Sequence, residues 1–204
     1  MSHNIDHIFY INIEHRTDRR SEIECELKQY ELIGERYDAI YIQNGGGCLG
    51  CSYSHLNVLK IARERGYKNV LILEDDFKFI VSKEELEEGL NKLFSLPFQF
   101  DVCMLAYNLQ QGFIVEEYPF LTKVNDAQTA SAYLVNQSMY DKLIAVYEWA
   151  VPLLESTGEH WIYTCDQSWK SLQPDSQWYC FTNRMGIQRP SYSDCGNQDV
   201  IPDW

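Results

Sequence analysis

An uninterrupted apolar run at residues 70–73 is followed at once by three acidic residues, Glu74, Asp75 and Asp76. A short apolar run bounded by polar residues is typical of a strand that is buried on both faces, as in a parallel sheet covered by helices. In open α/β sheets, ligand sites form outside the carboxyl ends of the strands. The run therefore predicts a layered α/β fold, and the acids mark the place where a site is expected.

The rest of the chain alternates between strand and helix patterns. Further strands are predicted at 7–13, 37–42, 102–106 and 129–135, and the glycines at 45–47 and 50 predict a flexible connection. Three helices are predicted from their apolar faces and caps. The first has Ile23, Leu27 and Tyr30 on one face, the second is capped by Ser52 or Ser54, and the third begins with a capping box of Ser82 and Glu85. The 204 residues contain no evident linker or repeat, so one α/β domain with a largely parallel sheet is expected.

The charge balance restricts the class of ligand. Lys and Arg total 17 against 30 Asp and Glu, a formal net charge of -13. Such a chain repels the nucleic-acid backbone, and no cluster of basic residues offsets this repulsion, so nucleic-acid binding is not expected. A phosphate-bearing ligand would need a local cation, and a bound divalent metal is the obvious candidate.

The acidic triplet itself suggests how that metal is held. If the extended backbone continues past residue 73, Glu74 and Asp76 project to one side and Asp75 to the other. Glu74 and Asp76 would then share a hard cation, which prefers oxygen ligands and often bridges carboxylates to phosphates. The alternative is an acidic loop on the solvated surface.

The seven cysteines lack the dense, regular spacing of a small secreted scaffold and are expected to be mostly reduced and buried. Cys48 and Cys51 form a C-x-x-C, but no second pair lies at zinc-ribbon spacing, so both are interpreted as packing residues beside a glycine turn. No secretory leader or stretch of about 20 apolar residues is visible, which predicts a cytoplasmic protein without a membrane span.

Three stretches together resemble glycosyltransferase family 25, which contains lipooligosaccharide galactosyltransferases and collagen hydroxylysine galactosyltransferases. They are 10–20 (YINIEHRTDRR), 47–56 (GCLGCSYSHL) and 71–76 (LILEDD), in that order. Weaker matches follow at 129–135, 165–167 and 188–191. The resemblance therefore spans nearly the whole chain.

The resemblance implies a single GT-A type domain over 1–204, with a Rossmann-like, mostly parallel central sheet flanked by helices. About 1–110 would form the half that binds the nucleotide sugar, and about 111–204 the half that binds the acceptor. The implied activity is metal-dependent, inverting transfer of galactose or glucose from a UDP-sugar to a hydroxyl group of a glycan or of a hydroxylysine-type side chain. Glu74 and Asp76 would hold Mn²⁺ or Mg²⁺ on the donor diphosphate, with Asp75 also at the donor.

The same resemblance places the end of the first strand beside the nucleotide. Asn12 would read a uracil or ribose edge, and Arg16 and Arg20 would hold ribose or phosphate oxygens. For Arg16 the alternative is a surface pair with Glu14 or Asp18.

Ser54 and His55 are expected at the start of a helix, where backbone amides favour anions, and the resemblance places them near the donor. The alternative for His55 is a satisfied structural histidine.

Asp166 matches the family's late acidic position and is the candidate base that takes the acceptor's proton; the alternative is a helix N-cap. Four late aromatic residues are candidates for stacking against sugar rings, namely Trp161, Trp169, Trp178 and Tyr179. The alternative is that they belong to the core, as most such residues do. GT-A enzymes often use a late residue, frequently a histidine, as a further metal ligand. This chain has no histidine after His160, so the candidates for that ligand are Gln188, Ser193 and Asp194.

Two rival functions remain open from the sequence. A Mg²⁺-dependent phosphohydrolase would also place acids at a strand end, but its nucleophilic aspartate should follow the first strand, where this chain has Asn12. The other rival is a sugar- or nucleotide-binding module that keeps the fold without turnover.

Overall fold

The computed structural model describes residues 4–43, 45–193 and 198–200. The strands are β1 (His7–Asn12), β2 (Glu35–Asp38), β3 (Asn69–Glu74), β4 (Phe77–Phe79), β5 (Val102–Ile114), β6 (Leu121–Asn136), β7 (Trp178–Phe181), β8 (Gly186–Gln188), β9 (Ser191–Ser193) and β10 (Gln198–Val200). The helices are α1 (Thr17–Gln29), α2 (Gly47–Glu64), α3 (Lys83–Phe94), α4 (Gln137–Thr157), α5 (His160–Tyr163) and α6 (Cys165–Ser168), followed by a 3-10 turn, Trp169–Leu172.

Within the described residues, the main sheet has six strands in the order β2-β1-β3-β6-β5-β7. The β1–β2, β1–β3 and β5–β7 pairs are parallel. Strand β6 is antiparallel to both β3 and β5, so it alone runs against the others in this sheet. The predicted α/β fold with a mostly parallel central sheet flanked by helices is confirmed.

The apolar run in β3 explains why this strand is central. Val70 and Ile72 pack into the core layer shared with α2 and α4, whereas Leu71 and Leu73 face the layer shared with α1 and α3. All four are at most 1% exposed. Burying such a side chain contributes roughly 1.5–3 kcal/mol, so the run fixes β3 between the two layers.

Helix α2 differs from its prediction. It begins at Gly47 rather than near residues 52–54, because the glycine-rich segment is already helical there. A Cβ on Gly50 would lie 2.2 Å from the Ile40 carbonyl oxygen, so glycine allows the helix to pack closely against the segment after β2. That segment was predicted as a strand over 37–42, but β2 ends at Asp38.

Other local predictions are confirmed or extended. Ser82 and Glu85 form the predicted capping box at the start of α3. No helix among the described residues is long and apolar enough to cross a bilayer. Cys25, Cys51, Cys103, Cys165 and Cys180 are free, whereas Cys48 is disulfide-bonded, so the prediction of a reduced packing residue is wrong for Cys48.

Candidate functional site

A cavity of about 110 Å³ lies at the carboxyl ends of β1, β2 and β3, against the start of α2. Its walls combine isoleucine side chains with the acidic triplet and one arginine. The lining residues are Ile11, Ile13, Arg19, Ala39, Ile40, Tyr41, Ile42, Gly47, Cys51, Glu74, Asp75, Asp76 and Gln188. We call this cavity the strand-end pocket. It lies where ligands bind in open α/β sheets.

The acidic triplet does not have the predicted arrangement. Strand β3 ends at Glu74, and Asp75 and Asp76 form a turn, so the alternation expected of an extended backbone stops there. Asp75 Oδ1 and Asp76 Oδ2 lie 3.0 Å and 3.1 Å from the same atom, Arg19 Nη1. The carboxylate of Glu74 instead lies beside His55. The extended backbone on which the predicted alternation of Glu74, Asp75 and Asp76 depended is therefore absent after Glu74, and the role of Glu74 and Asp76 as metal ligands stays a prediction.

Asp76 is the most unusual acid of the three. It is 4% exposed, and its Oδ2 accepts a hydrogen bond from Gln188 Nε2 at 3.0 Å. Its Oδ1 is buried without a hydrogen-bond partner among the described residues. Burial, followed by the charge of Glu74, raises the pKa of Asp76 to about 7. A buried carboxylate oxygen left unpaired is costly, so this atom fits a ligand position for a cation.

Glu74 and His55 form a second buried group beside the pocket. His55 Nε2 lies 3.1 Å from Glu74 Oε1, and His55 Nδ1 lies 3.0 Å from the Tyr133 hydroxyl. Burial lowers the pKa of His55, but hydrogen bonds to Cys51 and Glu74 outweigh burial and raise it to about 10. Burial also opposes ionisation of Glu74, yet His55 holds the Glu74 pKa below its usual value. This pair is therefore a carboxylate with an imidazolium.

Comparison with known proteins gives matches to named glycosyltransferases. No family model matches the chain. It is 27% identical over 133 residues to procollagen galactosyltransferase 1-B of Xenopus laevis, covering 52% of this chain and 22% of the relative. It is 24% identical over 170 residues to probable inactive glycosyltransferase 25 family member 3 of Bos taurus, covering 69% of this chain and 29% of the relative. The chain thus spans less than a third of the length of these relatives.

Two solved structures share the fold. One is a glycosyltransferase involved in the glycosylation of the major capsid of PBCV-1, with a TM-score of 0.56, 8% identity, and 93% of this chain and 95% of that chain covered. The other is galactosyltransferase LgtC in complex with donor and acceptor sugar analogs, with a TM-score of 0.50 and 10% identity. The match covers 96% of this chain and 97% of that chain. The resemblance to glycosyltransferase family 25 is confirmed. The predicted enzyme class, glycosyltransferase, agrees with the names of both relatives and both structures.

Asn12 and Ser54, which were predicted near the donor, are both buried and hydrogen-bonded to other parts of the protein. Asn12 is fully buried at the end of β1, where its amide donates to Asp75 Oδ2 at 2.7 Å and its Oδ1 accepts from Arg36. Ser54 is fully buried in the middle of α2, and its hydroxyl accepts the backbone N–H of Ile40 at 2.9 Å. Asn12 therefore positions an acid of the triplet, and Ser54 positions the wall of the pocket.

Arg16, the N-cap residue of α1, and Arg20 were predicted at the site, but the arginine that lines the pocket is Arg19. Arg16 forms an ion pair with Asp18, its predicted alternative, and Arg20 pairs with Glu24 at the surface. Arg19 is buried instead, and it also donates to the Tyr192 carbonyl. A signal was available, because Arg19 lies one helical turn before Ile23 on the apolar face of α1.

Asp166 lies in the first turn of α6, where its carboxylate accepts from the Thr129 backbone N–H at 3.1 Å and from the Thr164 hydroxyl at 2.8 Å. The N-cap of α6 is Thr164, so the alternative of an Asp166 N-cap is wrong. Its role as a base stays a prediction.

The late aromatic and polar candidates lie in different places: in the core, on the surface or at the pocket. Trp169, Trp178 and Tyr179 belong to the core, whereas Trp161 is 61% exposed. Gln188 reaches the pocket and contacts Asp76. The side chain of Ser193 and the whole of Asp194 lie outside the described part of the chain.

Proposed function

We propose that this chain is a metal-dependent, inverting glycosyltransferase that moves a hexose from a UDP-sugar to a hydroxyl acceptor. The observation that carries the proposal is the acidic triplet at the end of β3, where Asp76 lines the strand-end pocket and its Oδ1 is buried without a hydrogen-bond partner among the described residues. The relatives named as galactosyltransferases support galactose as the sugar transferred.

The charges of the pocket support a metal. Three carboxylates line it, and the described cations beside them are Arg19 and the protonated His55, so the corner offers no net positive charge to a diphosphate. Asp75 and Asp76 converge on Arg19, whereas Glu74 lies beside His55. Mn²⁺ or Mg²⁺ is commonly held by one or two carboxylates, with phosphates supplying further oxygens. We assign Asp76, Glu74 and the side-chain oxygen of Gln188 as its protein ligands.

The donor site follows from the walls of the pocket. When bound, the metal stabilises the charge that develops on the departing diphosphate. Ile11, Ile13, Ile40 and Ile42 provide an apolar slot for the flat uracil ring. No side chain among the described residues caps the first turn of α2, and its Gly47 reaches the pocket, so backbone amides there favour phosphate oxygens.

The acceptor half is assigned to about 111–204, as the resemblance implies. In the transfer step, the acceptor oxygen forms a bond to the anomeric carbon while the bond from that carbon to the diphosphate breaks, and UDP leaves with the electron pair. Asp166 takes the acceptor's proton. It is held for this task by Thr129 and Thr164, which orient its carboxylate.

The test is UDP release from a panel of UDP-hexoses, with Mn²⁺ or with EDTA, together with calorimetric binding of UDP. We expect Mn²⁺-dependent UDP release from one UDP-hexose, and loss of both release and tight UDP binding in Asp76→Asn. The matched control is Asp141→Asn, an exposed acid paired with Arg63, which should behave as wild type.

The same experiment separates the rivals. A binding module would bind UDP with Mn²⁺ but release none from any donor, even with acceptor present. A phosphohydrolase would release phosphate from phosphoesters instead. Unchanged UDP affinity in Asp76→Asn would refute the assigned metal site.

A further inference from the structure

Cys51, His55 and Cys165 bring three metal-ligating atoms together beside the strand-end pocket. These atoms lie within 4.8 Å of one another, two of the residues are buried and Cys51 is partly buried. Cys51 and His55 are one turn apart on α2, and Cys165 begins α6. The oxygen-based site proposed above uses neither these thiols nor His55; the two sites share only Glu74, whose two carboxylate oxygens can serve one ion each.

Glu74 offers a carboxylate oxygen beside two of these three atoms. Its Oε1 lies 3.1 Å from His55 Nε2 and 3.4 Å from Cys51 Sγ. In a tetrahedral zinc site with Zn–S of about 2.3 Å and Zn–N of about 2.0 Å, neighbouring ligand atoms are about 3.3–3.8 Å apart. The two Glu74 distances approach this range, and the ligand atoms of Cys51, His55 and Cys165, which lie within 4.8 Å of one another, need side-chain shifts of about 1 Å to reach it.

The surroundings orient the imidazole as metal sites require. His55 Nδ1 is engaged by the Tyr133 hydroxyl at 3.0 Å, which leaves Nε2 turned toward Glu74 and the cluster. Tyr133 is itself fully buried and packs edge-on against Trp169. A metal-bound histidine almost always has its other ring nitrogen fixed in this way.

We propose that Cys51 Sγ, His55 Nε2, Cys165 Sγ and Glu74 Oε1 bind a thiophilic divalent cation, namely zinc. Binding releases to solvent the proton that His55 carries in the metal-free protein and the protons of the two thiols. The resulting two thiolates, neutral imidazole and carboxylate form a donor set suited to zinc, whereas Mn²⁺ and Mg²⁺ prefer sites made of oxygen atoms. The ion links α2, the end of β3 and α6. It thereby fixes Glu74 of the acidic triplet, and it anchors α6 directly beside Asp166.

The test uses the purified full chain in oxygen-free buffer. Zinc affinity is measured by competition with a chromophoric chelator, and Co²⁺ is added separately as a spectroscopic probe. We expect wild type to bind one Zn²⁺, and its Co²⁺ form to show thiolate-to-cobalt charge transfer with the intense visible bands of a tetrahedral site. Loss of a direct ligand in Cys165→Ala should weaken zinc binding by at least about 100-fold and abolish the charge-transfer band.

The matched control is Cys103→Ala, which removes another free, fully buried cysteine and should keep wild-type zinc affinity. Circular dichroism and urea unfolding verify that both variants fold. Equal zinc affinity in Cys165→Ala and wild type, or a wild-type Co²⁺ spectrum without thiolate ligation, would overturn the proposal. Mn²⁺-dependent UDP binding should persist in Cys165→Ala, so failure of the zinc site is distinguishable from failure of the proposed transferase.

Discussion

Arg19 is the buried cation on which the acidic triplet depends. Its Nη1 lies 3.0 Å from Asp75 and 3.1 Å from Asp76, and all three side chains are no more than 11% exposed. Removing one partner of a buried ion pair costs about 3–5 kcal/mol, because the remaining charge is left uncompensated. We therefore expect Arg19→Met, which keeps an apolar stem, to lower the free energy of unfolding of the metal-free protein by about 3–5 kcal/mol at neutral pH.

A divalent cation should reverse part of this loss. The wild-type guanidinium repels a metal ion approaching Asp76, whereas in Arg19→Met the two aspartates lack any such competitor. Because a ligand stabilises the native state in proportion to the logarithm of its affinity, added Mn²⁺ should stabilise Arg19→Met more than wild type. The assay is urea denaturation followed by tryptophan fluorescence, with EDTA and with Mn²⁺.

The adjacent Arg20 provides the control. Its ion pair with Glu24 is about half exposed on both sides, so Arg20→Met should lower the free energy of unfolding far less than Arg19→Met does. Equal losses in Arg19→Met and Arg20→Met would refute the argument that burial sets the energy of these contacts. A larger stabilisation of wild type than of Arg19→Met by Mn²⁺ would refute the assigned position of the metal.

Three further predictions concern the same site. Burial and the charge of Glu74 raise the pKa of Asp76 to about 7, so metal-free wild type should lose stability as pH rises from about 4 to about 7, and Asp76→Asn should remove most of that loss in urea unfolding. Gly50→Ala places a Cβ 2.2 Å from the Ile40 carbonyl oxygen and should lower the free energy of unfolding by about 1–3 kcal/mol while weakening UDP binding, measured by calorimetry. Asp166→Asn should reduce the transfer rate by about 10²–10⁴-fold, measured by UDP release with acceptor, without changing UDP affinity.

Each of these has a control or a contradicting outcome. A pH profile of Asp76→Asn that parallels wild type would contradict the assignment of that titration. Gly66→Asn introduces a Cβ with no atom within 4 Å, at a φ of 70° that asparagine tolerates, and should leave UDP binding unchanged. A transfer rate in Asp166→Asn near that of wild type would remove this residue as the base.

Patterns confined to a few neighbouring residues were readable from the sequence. The apolar run of β3 identified the central strand because four consecutive apolar side chains need burial on both faces, and Ser82 with Glu85 marked the start of α3 because capping is local. The position of the acids at the strand end followed from the same run, as did a mostly parallel sheet from alternating strands and helices.

Only the tertiary structure decided which side chains of these segments meet. Arg16, Arg19 and Arg20 are alike in sequence, but the face of α1 that packs on the sheet buries Arg19 alone of the three. The acidic side chains do not alternate as they would on an extended strand, because the backbone turns after Glu74. Cys51 and Cys165 lie on helices far apart in the chain, and no local spacing predicts their approach, because it depends on how α2 and α6 pack against the end of β3.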